Sequence, residues 1–135
     1  GNLCADFAKG IAEIEKGKAK ELGVGQLDGI IDLIDIKDAV NATVLTAEKG
    51  VPGEVYNVCT GNRYRVKDIL DMFIKLAKTS VKIYKDPKKT RPKEDPIFIG
   101  DNSELRKLGW RQTVGIEQSV SDTLEYWRNE VEKNT

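Results

Sequence analysis

The stretch DIKDAVNATVLTAEKGVPGEVYNVC, residues 35–59, places a helix directly before a strand and decides the fold class. Asp35 can accept the free amide hydrogens of a first helical turn, and Gly50 is placed to end the helix. The apolar residues between them repeat at helical spacing; they are Ile36, Val40, Val44 and Ala47. A turn at 51–53 follows, and the largely apolar run 54–59 predicts a short strand.

Helices and strands continue to alternate on both sides of this stretch. Three further long helices are predicted by apolar residues at helical spacing, namely Leu3, Phe7, Ile11 and Ile14, then Ile69, Phe73, Leu76 and Ala77, and last Ile116, Val120, Leu124, Trp127 and Val131. A short helix is predicted to begin at Asn102 or Ser103, and residues 21–36, 81–84 and 97–99 are strand-like. This alternation indicates an α/β class, and no internal boundary is visible, so we expect one domain over residues 1–135.

The composition excludes several classes of function. Lys plus Arg and Asp plus Glu number 22 each, and this zero formal net charge argues against a general nucleic-acid binder. Histidine is absent, which removes Ser-His-Asp and Cys-His nucleophile pairs and the usual zinc sites, so we expect no metal. The apolar runs are too short to cross a membrane and no signal peptide is visible. Cys4 and Cys59 are unclustered, which favours reduced thiols in a cytoplasmic protein.

Three local patterns imitate known motifs and are rejected on physical grounds. The glycine-rich run 23–29 is followed by strand-like residues, whereas a dinucleotide loop needs a helix directly after it. Tyr84 and Lys88 have the Tyr-x-x-x-Lys spacing of short-chain dehydrogenases, but Pro87 lies between them and opposes the helix that this pair requires. Four aspartates lack the spacing of a calcium loop and suit turns and caps instead; they are Asp28, Asp32, Asp35 and Asp38.

The segment 85–95 contains five cations and three carboxylates. One interpretation is a solvated loop. The other is an anion site, in which Arg91, held by Pro92, offers a planar guanidinium to phosphate and Glu94 accepts hydrogen bonds from ribose hydroxyls. The local residues do not choose between the two.

Six segments in order resemble one family. They are residues 6–15, the run 24–28 leading to Asp32 and 35–38, then 53–61, 91–94, 100–103 and 108–110. Their order resembles the carboxy-terminal part of extended short-chain dehydrogenase/reductases that act on GDP-mannose. That group contains GDP-mannose 4,6-dehydratase and GDP-4-keto-6-deoxymannose reductase, and residues 124–128 are more similar to the reductase branch.

This resemblance implies a substrate-binding role without catalysis. Arg91 and Glu94 would contact the diphosphate and ribose of a GDP-sugar, the segment Gly25, Gln26 and Leu27 would lie beside the nucleotide, and Arg63 is a weaker candidate. No catalytic residue is expected here, because the family's Tyr-Lys pair and cofactor loop belong to an amino-terminal Rossmann half. NADP or NAD would therefore bind in the complete enzyme, and this chain alone would hold no cofactor.

Two features keep an alternative open. The family commonly has an arginine before the aspartate of its Arg-Asp pair, whereas Ile31 precedes Asp32 in this sequence. If that guanidinium made a charge-assisted hydrogen bond to phosphate, its loss would weaken binding by about 1.5–3 kcal/mol. Segment 54–61 would complete the Rossmann half, so the chain alone should expose apolar surface to a partner half or to a second copy. The alternative is a non-catalytic interaction or regulatory module derived from such an enzyme.

Overall fold

The computed structural model describes residues 2–90 and 97–133, which form a mixed α/β fold. Its elements in chain order are α1 (Leu3–Glu15), β1 (Leu22–Val24), β2 (Ile30–Ile31), α2 (Ile36–Lys49), β3 (Tyr64–Arg65), α3 (Val66–Leu76), β4 (Ile83–Lys85), a 3-10 helix (Pro87–Lys89), β5 (Ile97–Phe98), α4 (Ser103–Lys107) and α5 (Ile116–Lys133). The predicted α/β class and all five predicted helices are confirmed. None of the helices in these ranges is long and apolar enough to cross a membrane.

The strands form two small sheets that connect distant parts of the chain. In the first, β1 pairs in parallel with β4, with Leu22 opposite Ile83 and Val24 opposite Lys85. In the second, β2 lies between antiparallel β3 and parallel β5. The stretch that runs from β1 to β2 therefore borders both sheets.

The main core lies between α1, α3 and α5, with β1 packed against α1. Phe7 of α1 and Phe73 of α3 meet edge to face with ring centroids 6.2 Å apart. Ile11 and Leu124 are fully buried between the same helices. Burying a side chain of this size stabilises the fold by about 1.5–3 kcal/mol, so the apolar stripes predicted for these three helices supply most of the packing energy.

A partly buried ion pair joins the same three helices. Arg128 of α5 donates to both carboxylate oxygens of Glu15, at 2.8 and 2.6 Å, and to the carbonyl oxygen of Leu76 at 2.9 Å. Its pKa is raised, first by the hydrogen bond to Glu15, and that bond in turn lowers the pKa of Glu15. The guanidinium thus serves the packing of helices and is not free for a ligand.

Helix α2 packs through a buried carboxylate. Asp38 is fully buried, and its oxygens accept hydrogen bonds from the amide of Thr113 at 3.0 Å, from its hydroxyl at 2.6 Å and from the amide of Val114 at 2.9 Å. The indole nitrogen of Trp110 donates to the carbonyl oxygen of Asp38 at 3.1 Å. Ala42, one turn further along, packs with Leu105 and Trp110 in a second, smaller core.

The apolar stripe of α2 faces solvent, although the helix itself was predicted correctly. Ile36, Val40 and Val44 are 73%, 52% and 50% exposed, because the helix turns Asp38 and Ala42 inward instead. The strand predicted at 54–59 is wrong: these residues are not in a strand, since no described strand lies beside them to form a ladder. The expectation of uncovered apolar surface in this segment is confirmed, because Val55 is 78% exposed.

Candidate functional site

The segment Gly25, Gln26 and Leu27 follows β1 and lies against the 3-10 helix. Gly25 packs so closely on the carbonyl oxygen of Lys89 that a Cβ atom would overlap it. The amide of Asp86 donates to the carbonyl oxygen of Val24 at 2.8 Å, which fixes the start of this contact. The absence of a side chain at residue 25 is therefore a requirement of the packing.

The two residues after Gly25 have different environments. Gln26 is exposed, so its amide is available to a ligand. Leu27 is half-buried against the main core, and its carbonyl oxygen accepts from the amide of Lys67 at 3.0 Å. Leu27 thus holds the segment in place, while Gly25 and Gln26 present it to solvent.

Arg91 and Glu94 lie outside the described residues, but the two flanks of their segment are placed. Thr90 is the last described residue before them, and its hydroxyl donates to the carbonyl oxygen of Asp86 at 3.3 Å. Ile97 is the first described residue after them and pairs with Ile30 of β2. Both flanks therefore border the stretch between β1 and β2 that contains Gly25 and Gln26.

Asp32 ties the opposite end of β2 to the loop before β3. Its amide donates to the carbonyl oxygen of Phe98 at 2.9 Å. Its carboxylate accepts from the amide and hydroxyl of Thr60, at 3.1 and 2.5 Å, and from the amide of Gly61 at 2.7 Å. This aspartate has a turn-holding duty, as the sequence predicted.

Asn102 holds the same loop from its other side, a contact that sequence reasoning missed. Its side-chain amide is buried and donates to the carbonyl oxygens of Cys59 and Thr60, at 2.9 and 3.0 Å. Gly100 packs so closely on Cys59 that a Cβ atom would overlap the thiol sulfur. Burial, and then the charges of Asp32 and Asp101, raise the pKa of the Cys59 thiol. It therefore stays protonated at neutral pH and is a poor nucleophile.

Arg63 lies away from Gly25 and Gln26. It is exposed and immediately precedes β3, whose pairing places Tyr64 opposite Ile31. Residue 63 is therefore level with Asp32, six residues along from Gln26, or at most about 20 Å of extended chain. Gly25 and Gln26, which are adjacent in sequence, lie before β2, whereas Arg63 lies beside the residue that follows β2.

A separate cleft of about 240 Å³ lies between the amino end of α1 and α5. Cys4 lines it, and burial raises the pKa of this thiol to about 11. Ser119 also lines it, with its hydroxyl donating to Asp35 at 2.6 Å. Within residues 2–90 and 97–133, no group of three His, Cys, Asp or Glu side chains could hold a metal. This cleft shows no activated nucleophile.

The sequence matches a family model described as GDP-mannose 4,6 dehydratase over residues 3–123. The chain belongs to this family. It is 29% identical over 96% of its length to the GDP-6-deoxy-D-mannose reductase of Pseudomonas aeruginosa, and 28% identical over 67% of its length to the human dTDP-D-glucose 4,6-dehydratase. The match covers 43% of the first protein and 27% of the second.

Solved structures agree with this assignment. The chain superposes on RMD from Pseudomonas aeruginosa complexed with NADPH with a TM-score of 0.87 and 27% identity, over 96% of this chain and 43% of that one. The UDP-glucose 4-epimerase from Bifidobacterium longum, in complex with NAD⁺ and UDP, shares the fold with a TM-score of 0.73 and 23% identity, over 96% and 41%. The chain thus spans less than half the length of these relatives, and it is a partial extended short-chain dehydrogenase/reductase fold.

Position 31 is the one at which the sequence resemblance led us to expect an arginine. Ile31 ends β2 and packs, half-buried, against the main core. Since an isoleucine offers only apolar contact, any phosphate charge at this site has to be neutralised by other side chains.

The dinucleotide and catalytic motifs rejected from the sequence have no structural basis within the described residues. The glycine-rich loop after β1 leads into β2, so it lacks the helix amino terminus that a pyrophosphate needs. Tyr84 lies in β4 and Lys88 in the 3-10 helix, so the two side chains do not share a helix face. Within residues 2–90 and 97–133, these two patterns therefore form neither a dinucleotide loop nor a Tyr-Lys pair on one helix.

Proposed function

We propose that this chain is the GDP-sugar-binding portion of a nucleotide-sugar dehydratase or reductase, and that it is not catalytic alone. The observation that carries this proposal is the close packing of Gly25 on Lys89. This packing holds Gly25, and with it the exposed Gln26, next to Lys89. Lys89 lies two residues before the segment 91–96. A nucleotide bound there would contact the backbone of this segment and the exposed side-chain amide of Gln26. Arg91 is proposed to belong to the same site.

Each residue has a separate role in this proposal. Arg91 offers two parallel donors to the diphosphate, which suits phosphate oxygens better than a single ammonium does. Glu94 accepts from ribose hydroxyls. Gln26 hydrogen-bonds the nucleotide through its exposed amide, while Leu27 fixes the backbone through the core. Arg63, at the far end of β2, would contact only the distal part of an extended ligand.

The redox chemistry is proposed to take place on a separate dinucleotide-binding half. NADP or NAD, when bound there, supplies hydride transfer at C4 of the hexose. This chain would bind the nucleotide sugar and hold its hexose in a fixed orientation toward the dinucleotide, which lowers the entropic part of the reaction barrier. Relatives in this family include a reductase and a 4,6-dehydratase, so the proposal covers both reaction types.

The exposed face of α2 is the proposed docking surface for that half. Ile36, Val40 and Val44 form a continuous apolar stripe on the helix, and Val55 adds exposed apolar area in the segment after it. Exposed apolar patches of this kind mark interaction surfaces. The relatives are more than twice as long as this chain, which is consistent with a large partner unit.

A non-catalytic interaction or regulatory module is the second candidate. Ile31 favours it, because this residue brings no charge to the proposed phosphate site. Such a module would dock a partner through α2 and would have no affinity for nucleotides.

Calorimetric titration of the chain with GDP and with GDP-mannose tests the proposal. We expect both to bind, R91A to weaken binding about 10- to 100-fold, and E94Q to weaken it less. R111A is the matched control, since Arg111 is an exposed arginine that lies outside the segment 91–96. Failure of both ligands at millimolar concentration would contradict a nucleotide site, and capture of a dinucleotide-binding half without nucleotide affinity would support the second candidate.

A further inference from the structure

We propose that the ammonium group of Lys89 is a phosphate-binding cation of the site at Gly25. This inference rests on the proposed function and names the side chain that supplies charge where Ile31 does not. Its starting observation is that Lys89 contacts the glycine segment twice, with its backbone carbonyl against Gly25 and with its ammonium group 3.0 Å from the carbonyl oxygen of Gly23.

The second contact sets the position of the charge. Leu22 and Val24 bond to the β4 side, through the carbonyl oxygen of Lys82 and the amide of Asp86, both at 2.8 Å. In a strand the intervening residue points its carbonyl the other way, so Gly23 directs its oxygen to the edge of β1 away from β4. The Lys89 ammonium group lies at this edge, bonded to Gly23. Gly23 precedes Gly25 by two residues and Gln26 by three.

The ammonium group also has unused hydrogen-bonding capacity. An ammonium has three N–H donors, and within residues 2–90 and 97–133 only the bond to Gly23 is found for Lys89. Two donors are therefore available to oxygen atoms of a ligand. Lys89 is exposed, so these two donors are accessible to solvent and to a ligand.

No described carboxylate neutralises the charge. Ion pairs elsewhere on the surface join lysines to nearby acids, as with Lys67 and Asp71 at 2.7 Å. No described ion pair includes Lys85, Lys88 or Lys89, and the carboxylate of Asp86 instead accepts from the backbone amide of Lys88 at 2.9 Å. Positive charge without a described carboxylate partner suits the phosphates of a nucleoside diphosphate.

A purely structural role makes a different prediction. If Lys89 only satisfies the edge carbonyl of Gly23, its loss would lower stability and would affect all ligands equally. If it binds phosphate, its loss would weaken a diphosphate more than a monophosphate, because the interaction grows with ligand charge.

The test is calorimetric titration of the full chain with GDP and GMP for wild type, K89M, K89R and K88M. Methionine keeps an unbranched apolar stem and removes the charge. We expect K89M to weaken GDP binding about 10- to 100-fold and to reduce the preference for GDP over GMP, with K89R restoring most of both. K88M is the neighbouring control and should stay within about threefold of wild type. Thermal unfolding of each variant establishes that it is folded.

Three results overturn the inference, and they are distinguishable. In the first, the wild-type chain binds GDP, and K89M and K88M bind it with the same affinity. Lys89 then has no role in phosphate binding, while the proposed function is unaffected. Equal weakening of GDP and GMP in K89M assigns Lys89 to structure alone. Wild-type chain that binds neither nucleotide at millimolar concentration contradicts the proposed function, and this inference fails with it.

Discussion

The carbonyl oxygen of Lys89 packs against Gly25 with no room for a Cβ atom between them. This contact joins the loop after β1 to the last described residues before Arg91, although 64 positions of sequence separate the two partners. It is the feature on which the proposed nucleotide site depends.

Substitution of Gly25 by alanine should therefore impair both packing and binding. The new methyl group forces the two backbone segments apart, and we expect a loss of about 1–3 kcal/mol in the free energy of unfolding together with at least about tenfold weaker GDP binding. Urea denaturation and calorimetry measure the two effects. G115A is the control, because its methyl group would meet only the Glu117 side chain, at 3.5 Å, and GDP affinity should be kept. A G25A variant with wild-type affinity would show that this packing does not shape the site.

Asp38 should be the polar side chain on which the packing of α2 depends most. Replacement by asparagine puts an amide NH₂ among the N–H and O–H donors of Thr113 and Val114, so we expect a loss of about 2–4 kcal/mol. Chemical denaturation gives the value. D28N, at an exposed position, should change stability by less than about 0.5 kcal/mol. Similar stabilities for the two variants would mean that the buried network is not formed.

The same carboxylate predicts how stability depends on pH. Burial acts to raise the pKa of Asp38, but the hydrogen bonds from Thr113 and Val114 outweigh it and leave the pKa below its ordinary value of 3.8. A group whose pKa is lower in the folded state stabilises the fold above its unfolded pKa, and this contribution disappears as the pH falls through the folded pKa.

The stability difference between wild type and D38N should accordingly be constant near neutral pH and shrink below about pH 3.8. Urea midpoints measured from about pH 7 to about pH 2.5 test this. Glu15, whose pKa is lowered chiefly by Arg128, adds a further loss in wild type and D38N alike and so cancels in the difference. A difference that grows on acidification would contradict the assignment.

The exposed stripe of α2 should be removable without unfolding the chain. Val40 and Val44 are half exposed, so the double variant V40Q/V44Q should change stability by less than about 1 kcal/mol while lowering the binding of a fluorescent apolar dye. A42D is the contrasting variant, since Ala42 is fully buried and an added carboxylate there should destabilise strongly. Unchanged dye binding in the double variant would remove α2 as the proposed docking surface.

The sequence predicted the helices well because each is encoded by local spacing. The stripes of α1 and α5 face the core as expected, and so does that of α3 except for Leu76, which is 42% exposed. Asp35 caps α2, accepting from the amide of Lys37 at 2.8 Å. The orientation of α2 was not predictable in the same way. Its apolar stripe is regular, but the inward face is decided by the bonds of Asp38 to residues some 75 positions away.

The strand predicted at 54–59 failed for a related reason. Apolar composition indicates a strand, yet a strand requires a neighbour to bond with, and the described residues provide none there. Asn102 was also missed as the side chain that holds residues 59 and 60, because periodicity carries no information about a contact across 43 residues. The sequence shows only that Asn102 follows Gly100 by two positions, which does not indicate the contact.

The binding role of the residues that the resemblance implies stays a prediction, but the structure places some of them. The resemblance led to Gly25 and Gln26, which the structure places on the surface beside the 3-10 helix. It did not suggest Lys89, whose side chain was grouped with the other cations of a basic loop. Only the fold shows that this lysine returns to Gly23.

Amide chemical shifts of the isotopically labelled chain, followed during titration with GDP, test the central claim most directly. We expect saturable shifts that are largest at Gly25, Gln26 and Lys89, with smaller changes across α5. Absence of shifts at millimolar GDP, or shifts confined to the exposed stripe of α2, would contradict it.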